Sequence, residues 1–568
     1  MTAQFSIREA DPQIVARLAH DLGLPRFIAT TLVARGITTV RAAKRFLSPS
    51  LDRDWRNPLE IPGLAEVADG LVDAIREKKR IVVFGDFDLD GISATTVLTR
   101  GLRALGACAF PFVPRRFEEG YGITAAAFER ARALEPDVIV TVDCGIACKN
   151  EVADILKAGV EVYITDHHEA ADLVPEGVPV ADPKMADDCP SAILAGVGVA
   201  LKLVQVLGSR LGFPHLWRSY TDFATLGTVA DLMPMRDENR ALVADGLARM
   251  NTNPRPCIAA LLATTGQAGK PLSATNLSFS LIPRLNAAGR MGKGELALRL
   301  LREKDHVAAA GMAQELDELN LARRQEEERI YAEAKAQASD ILSRGPRAGL
   351  VLYGKDWHPG IVGIVASRIV EDYYRPTIIV CDDQGSLKGS GRSVREFDLH
   401  GGLTRTADCL LNFGGHRQAA GVRLAPERLE EFRARFDAVA EEVLGPNPLL
   451  PSITLECELG FNLAGDHNFL KELELLQPFG PGNPEPVFQS PPLLVKERSF
   501  LGRSREHVLL RLTDSASGIT LSAKAWRMAD ELPASLINKH ILVAYTPRID
   551  TYNGIASVDI AIKDWRPA

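Results

Sequence analysis

Residues 80–106 read RIVVFGDFDLDGISATTVLTRGLRALG, and this stretch decides the fold. An apolar, β-branched run from Ile81 to Phe84 ends on Gly85, and three aspartates follow at alternate positions: Asp86, Asp88 and Asp90. A helical stretch begins near Ile92 and closes at Gly106. Strand, polar turn and helix in that order start a βαβ unit. The grammar repeats downstream. DVIVTVDCG (137–145), EVYITDHH (161–168) and VPVADP (178–183) are short β-branched runs that end in Gly, Asp or His. Between the runs lie TAAAFERARALE (124–135) and KNEVADILKAG (149–159), both with helical periodicity. The expected fold is therefore α/β, a parallel sheet flanked by helices. Its charged residues fall at the carboxyl ends of strands, where open α/β sheets bind ligands.

Working outward, residues 1–50 read as a helical segment closing on Pro49, ahead of the α/β region at 51–300. A charge-rich stretch carries Met312, Leu316, Leu319, Ile330, Ala334 and Ile341 on one helical face, which places a connecting helix within 301–345. A second, smaller α/β region at 346–448 holds AGLVLYG (348–354) and PTIIVCDD (376–383). Pro446, Pro448 and Pro451 mark a linker, and 452–568 is strand-like throughout, as in a small β-barrel.

Composition narrows the function classes. At 568 residues the chain is long enough for several domains of about 150 residues. Apolar residues are 46% and charged residues 24%, which fits a globular protein rather than a disordered chain. The longest apolar run, Ile193 to Leu207, is broken by Lys202, and Arg8, Glu9 and Asp11 stand where a signal core would lie. No membrane association and a cytoplasmic location are expected. Eight scattered cysteines without a C-x-x-C pair read as reduced thiols. The net charge of −7 means that any nucleic-acid site must be a local cationic track.

The three aspartates carry the chemistry. An EF-hand also opens D-x-D-x-D-G, but its twelfth position should be Glu and is Val97 here, and a strand rather than a helix precedes it. One aspartate can cap the following helix, whereas three carboxylates at a strand end repel one another and need a cation. Asp143, then Asp166, His167 and His168, end two further strands, and Asp231 follows a helical stretch. Mixed carboxylate and imidazole donors suit manganese or a similar divalent ion. Adjacent histidines on an extended chain point to opposite sides, so His167 is assigned to metal and His168 to a supporting or substrate role.

At these residues the chain resembles the DHH phosphoesterase superfamily, whose triplet stands here as Asp166-His167-His168. VPRRFEEGYG (113–122), PRLNAAGRM (283–291), WHPGIVGIVASRI (357–369), KGSGRS (388–393) and GGHRQAAG (414–421) look like the RecJ family of single-strand-specific 5′ exonucleases. QPFGPGNPEPVF (477–488) is similar to that family's approach to an oligonucleotide-binding (OB) barrel. The resemblance implies a DHH domain at 51–300, a DHH-associated domain at 346–448 and an OB-fold domain at 452–568. It implies two divalent ions, manganese preferred over magnesium. Asp88, Asp143, His167 and Asp231 would hold one, Asp86 with Asp143 the other, and His168 would join them in catalysis. Arg116, Ser390 and Arg392 match positions that hold a terminal 5′-phosphate, and Arg284, Arg290 and His416 resemble nucleotide contacts. Taken alone, Arg115 and Arg116 would read as a solvated patch. Arg498, Phe500, Arg503, Arg505, Lys524, Trp526 and Arg527 are the barrel's candidate contacts, through stacking and charge.

The implied activity is 5′ to 3′ hydrolysis of single-stranded DNA to 5′-mononucleotides, in repair and recombination. The implied setting is a nucleoid-associated monomer working beside a single-strand-binding protein and a RecQ-type helicase. Two other readings remain open. One is a DHH phosphodiesterase acting on very short oligonucleotides or cyclic dinucleotides; the other is a RecJ-like structural subunit of a replication assembly without catalysis.

Overall fold

The computed structural model describes residues 3–116, 118–120, 122–169, 173–445, 449–502, 505–550 and 557–568. Phe117, Tyr121, Pro446, Pro448 and Arg503, all named above, lie outside them. The chain starts on a strand, β1 (Gln4–Ile7), followed by helices Pro12–Leu22, Arg26–Ala34 and Val40–Leu47. It then divides into two compact units, the first comprising 45–323 and 478–484, the second 1–44, 324–477 and 485–568.

The first unit is built on β2 (Arg80–Gly85), β3 (Cys108–Phe112), β4 (Val138–Val142), β5 (Glu161–Thr165) and β6 (Val180–Ala181). All pair in parallel in the order β3-β2-β4-β5-β6. Every residue of β4 is buried, as a strand covered on both faces requires. The strand order reverses between β2 and β4, and the crevice at such a switch point is where doubly wound sheets place ligands. Asp86 and Asp143 are the first residues beyond those two strands. The Leu89–Ala104 helix packs closely on the Gly196–Arg210 helix because Gly101 has no side chain, and a Cβ there would lie 2.6 Å from Val204.

In the second unit, β7 (Leu350–Tyr353), β8 (Thr377–Asp383), β9 (Ser386–Arg392), β10 (Asn412–Gly415) and β11 (Ala419–Leu424) form a mixed sheet in the order β10-β11-β9-β8-β7. The Val362–Tyr373 helix covers this sheet. A strand β12 (Ser452–Leu455) pairs in parallel with β1. The barrel follows: β13 (Phe488–Gln489), β14 (Leu493–Leu501), β15 (His507–Asp514), β16 (Thr520–Ala525), β17 (His540–Asp550) and β18 (Ser557–Pro567). Pairing of β17 with β18 closes the ring β17-β14-β15-β16-β18, an OB-type barrel.

Two sequence expectations need correction. The start of the chain is not wholly helical, because β1 pairs with a strand hundreds of residues away, and four residues are too few to show alternation. The region after 452 is not strand throughout: helices Phe461–Ala464 and His467–Leu473 interrupt it, the second capped by the Asp466 carboxylate on the Asn468 N–H (2.8 Å).

Candidate metal centre

Local structure delivers each carboxylate. Asp88 caps the Leu89–Ala104 helix, accepting from the N–H groups of Asp90 (2.9 Å) and Gly91 (3.1 Å), while Asp86 sits buried behind it at the end of β2. Asp143 leaves β4 with φ +60°, a left-handed conformation that L side chains other than Asn and Asp seldom adopt. Asp166 accepts from the Ile146 N–H (3.0 Å), the His167 N–H (2.8 Å) and His168 Nδ1 (2.7 Å), which fixes the turn and the His168 ring. Asp231 ends the Thr221–Ala230 helix.

These residues converge. His167 Nε2 lies 3.0 Å from Asp143 Oδ1 and 3.8 Å from both Asp90 Oδ2 and Asp231 Oδ2. Asp86, Asp88 and Asp143 each offer an oxygen within 4.8 Å of the others, and so do the donors of Asp143, His167 and His168. Asp90, left out of the expected donor set, has both oxygens engaged by the Gly196 (2.7 Å) and Val197 (3.1 Å) N–H groups while standing in the same cluster. It anchors the start of the Gly196–Arg210 helix.

Electrostatics follow from that crowding. Burial and the neighbouring carboxylates push Asp86, Asp90 and Asp143 well above the usual carboxylate range, and burial with the Asp88 charge lifts Asp231 to about 7. Burial and the adjacent His168 pull His167 down to about 3, so its imidazole is neutral and keeps a lone pair. Burial alone would lower His168 too, but its bond to Asp166 raises it to about 9. Among the described residues, the buried atoms Asp86 Oδ1 and Asp143 Oδ1 have no hydrogen-bond donor. Crowded carboxylates with unbonded buried oxygens beside a neutral imidazole fit divalent cations, which would replace the missing donors and favour the ionised forms.

The phosphate-binding candidates are placed as follows. Arg116 stacks on the Phe87 ring at 4.7 Å, in the first unit, within the field of Asp86 and Asp88. Arg115 is exposed and pairs with Glu118 at 2.8 Å. Arg284 is held by Asp317 (2.7 Å) and the Ser280 carbonyl (2.7 Å), and Arg290 closes the Ile282–Arg290 helix. In the second unit Ser390 and Arg392 project from β9, with Arg392 Nη1 donating to Ser390 Oγ at 2.9 Å. His416 is exposed in the turn between β10 and β11.

Three family descriptions match in the order of the fold: the DHH family N-terminal domain over 80–228, the DHHA1 domain over 347–442 and the RecJ OB domain over 457–564. The single-stranded-DNA-specific exonuclease RecJ of Salmonella typhimurium is 32% identical, with both chains covered along 100% of their length. The chain belongs to the RecJ family. The RecJ exonuclease of Bacillus subtilis is 33% identical over 90% of this chain, which spans 65% of that longer relative. A crystal structure of RecJ from Thermus thermophilus in complex with Mn2+ superposes with a TM-score of 0.83 at 33% identity, covering 100% of this chain and 80% of that one. RecJ family membership accounts for the joint presence of the DHH sheet, the smaller mixed sheet and the OB barrel.

Within that frame, several neighbours of the site escaped the sequence reading. A Cβ on Gly196 would lie 2.5 Å from the Asp143 Cβ, and one on Gly227 2.5 Å from Asp90 Oδ1. A Cβ on Gly363 would lie 2.8 Å from Ser390 Oγ and 3.2 Å from Arg392 Nη2. Gly196 and Gly227 carry no signal beyond being glycines within helical runs, whereas Gly363 lies within WHPGIVGIVASRI (357–369). In the barrel, Arg498 is partly used by the fold: its guanidinium donates to the carbonyls of Leu532 (2.5 Å) and Ala529 (2.9 Å). Lys524 pairs with Asp559 at 3.1 Å. Phe500 and Trp526 are about half exposed, at 48% and 52%, and Arg505 lies 5.7 Å over the Phe500 ring.

Proposed function

We propose that this chain degrades single-stranded DNA from its 5′ end to 5′-mononucleotides, with two divalent ions, manganese preferred, held by Asp86, Asp88, Asp143, His167 and Asp231. The observation that carries the reading is the set of buried, unbonded carboxylate oxygens at the switch point of a parallel sheet. RecJ relatives named as single-stranded-DNA-specific exonucleases supply the reaction class, and RecJ structures named with Mn2+ and Mg2+ support divalent metals. Bound divalent ions supply positive charge at the scissile phosphate and lower the pKa of the attacking water.

The chain's own residues do the rest. Asp143, strained at positive φ, presents one carboxylate toward His167 and toward Asp86 at once, which suits a shared ligand. Asp166 holds His168 by Nδ1, which fixes the orientation of the ring beside Asp143 and His167 and suits a supporting or substrate role. Arg116, Ser390 and Arg392 are proposed to read the terminal 5′-phosphate, since guanidinium forks match its extra charge and free oxygen. Arg284, Arg290 and His416 are proposed nucleotide contacts, with Arg284 already oriented by Asp317. Residues 51–300 form the DHH domain on this reading, 301–345 the connecting helix, 346–448 the DHH-associated domain and 452–568 the single-strand-binding barrel, behind a preface at 1–50. Among the described residues no helix is long and apolar enough to cross a membrane. A monomer acting on nucleoid DNA, beside a single-strand-binding protein and a RecQ-type helicase, is supported by family resemblance alone.

End-labelled single strands incubated with manganese, magnesium or no metal test the proposal. Mononucleotide release from the 5′ end, absent without metal, is the expected result. Release from the 3′ end, or from internal sites first, would overturn it.

A further inference from the structure

A cavity of about 670 Å³ opens in the first unit, and none of the metal-centre residues line it. It lies where the Thr221–Ala230 helix begins and the Asp237–Thr252 helix ends, beside the starts of the Pro256–Thr264 and His306–Ser343 helices. Asp231 stands at the other end of the first of these, about 14 Å away at 1.5 Å per residue.

Its polar groups are arranged in an unusual way. Asp245 and Arg249 are one helical turn apart, a spacing at which opposite charges ordinarily pair. Among the described residues neither makes an ion pair, because Thr221 stands between them. Its hydroxyl donates to Asp245 Oδ2 at 2.5 Å and accepts weakly from Arg249 Nε at 3.3 Å. The terminal nitrogens of Arg249 have no partner among the described residues, and the exposed His306 ring joins the same lining. Arg255 also lines the cavity, its charge offset by Asp222 (2.5 Å) and its guanidinium placed over the Phe223 ring (4.5 Å), whose other neighbour is Arg100 at 5.3 Å. The cavity therefore carries Arg249, Arg255 and His306 beside two carboxylates, Asp222, which is paired with Arg255, and Asp245, which shares the Thr221 hydroxyl with Arg249. The complementary ligand joins an anionic group for the terminal nitrogens of Arg249 to a nearby hydroxyl or amino donor for Asp245, and the volume falls within the range of small-molecule sites.

We propose that this cavity binds a nucleoside phosphate, with Arg249 and His306 taking the phosphate, supported by Arg255, and Asp245 taking the sugar hydroxyls. Arginine forks and a phosphate match in geometry, and a carboxylate is the usual partner of a sugar diol. The site is distinct from the metal centre and does not depend on cleavage.

Calorimetric titration of the full chain in chelator tests this, with AMP, dAMP and inorganic phosphate as probes. AMP or dAMP should bind saturably and at least about tenfold more tightly than inorganic phosphate. Arg249→Ala should weaken nucleotide binding by roughly tenfold or more, the effect of one charge-assisted contact, while Asp143→Asn leaves it unchanged. Asp245→Asn should weaken AMP but not phosphate, which separates a lost contact from a misfolded protein. A preference for AMP over dAMP would assign the site to a ribonucleotide, and parity would assign it to nucleotides including the cleavage product. Absence of saturable nucleotide binding, equal affinity for phosphate, or binding that is lost in Asp143→Asn but kept in Arg249→Ala would each overturn the proposal.

Discussion

The metal centre gathers carboxylates from strand ends, whereas the barrel's candidate contacts are cations and aromatic rings along its strands and turns, and the two fare differently. In the centre, buried carboxylate oxygens lack donors, and burial raises the cost of each charge. In the barrel, two of the cations named as contacts are already used by the fold, Arg498 by carbonyls and Lys524 by Asp559. Several buried carboxylate oxygens left without donors beside a neutral imidazole point to a cation more firmly than a surface cation of any type points to DNA, because the ligand then recovers a desolvation penalty the fold has not met. The aromatic rings Phe500 and Trp526 both stay half exposed, which leaves a face of each accessible to stack a base.

The sharpest way to break this contrast is to remove the most demanding group. Asp143→Ala should reduce cleavage by on the order of a thousandfold at saturating manganese, because both proposed ions lose a ligand together. Manganese binding, followed by calorimetry, should fall with it, while the melting temperature measured in chelator holds or rises, since a crowded carboxylate has been deleted. Retention of a tenth of wild-type turnover would mean that the unbonded oxygens serve no cation.

Arg392→Ala addresses the second unit. Its loss should lower kcat/KM for 5′-phosphorylated strands roughly ten- to hundred-fold, and far less for 5′-hydroxyl strands, which is the value of one or two charge-assisted contacts. An unchanged ratio between the two substrates would make Arg392 a general backbone contact. Asp90→Ala sits lower on the scale. It unpairs the Gly196 and Val197 N–H groups at a buried helix start, costing about 1–3 kcal/mol in urea unfolding at saturating manganese. Cleavage should drop less than in Asp143→Ala. A larger drop would make Asp90 a metal ligand.

How much of this was legible in the sequence follows from the range of the interactions. The strands β2, β4 and β5 were plain because each is a β-branched run closed by its own carboxylate, a signal contained in about ten residues. Asp86, Asp88, Asp143 and His167 came with them. Gly196 and Gly227 were not legible: their requirement is the approach of Asp143 and Asp90 from elsewhere in the chain, which no local pattern records. The role of Asp90 was hidden for the same reason, since its partners lie on a helix more than a hundred residues later. β1 and the short helices after β12 were missed because four- to seven-residue elements carry too few periods to read. Arg498 and Trp526 look equally available in sequence, and only the carbonyls of Ala529 and Leu532 separate them.

That last distinction yields the smallest expected effect and the most discriminating pair of variants. Trp526→Ala removes a half-exposed ring, so it should weaken binding of a long single strand by about 1–3 kcal/mol, the usual worth of one stacked base, and leave thermal stability nearly unchanged. Arg498→Ala should do the reverse. It strips two carbonyls of their donor and uncovers the Phe500 ring it lies against at 4.5 Å, so the barrel should melt earlier while strand affinity per folded molecule holds. Fluorescence anisotropy with a labelled oligonucleotide, set beside thermal melts of the same preparations, reads both quantities. Cleavage of short substrates should be indifferent to either change. If Arg498→Ala costs affinity without costing stability, then satisfaction by the fold is a poor guide to which cations meet DNA, and the contrast between the barrel and the metal centre fails at its weaker end.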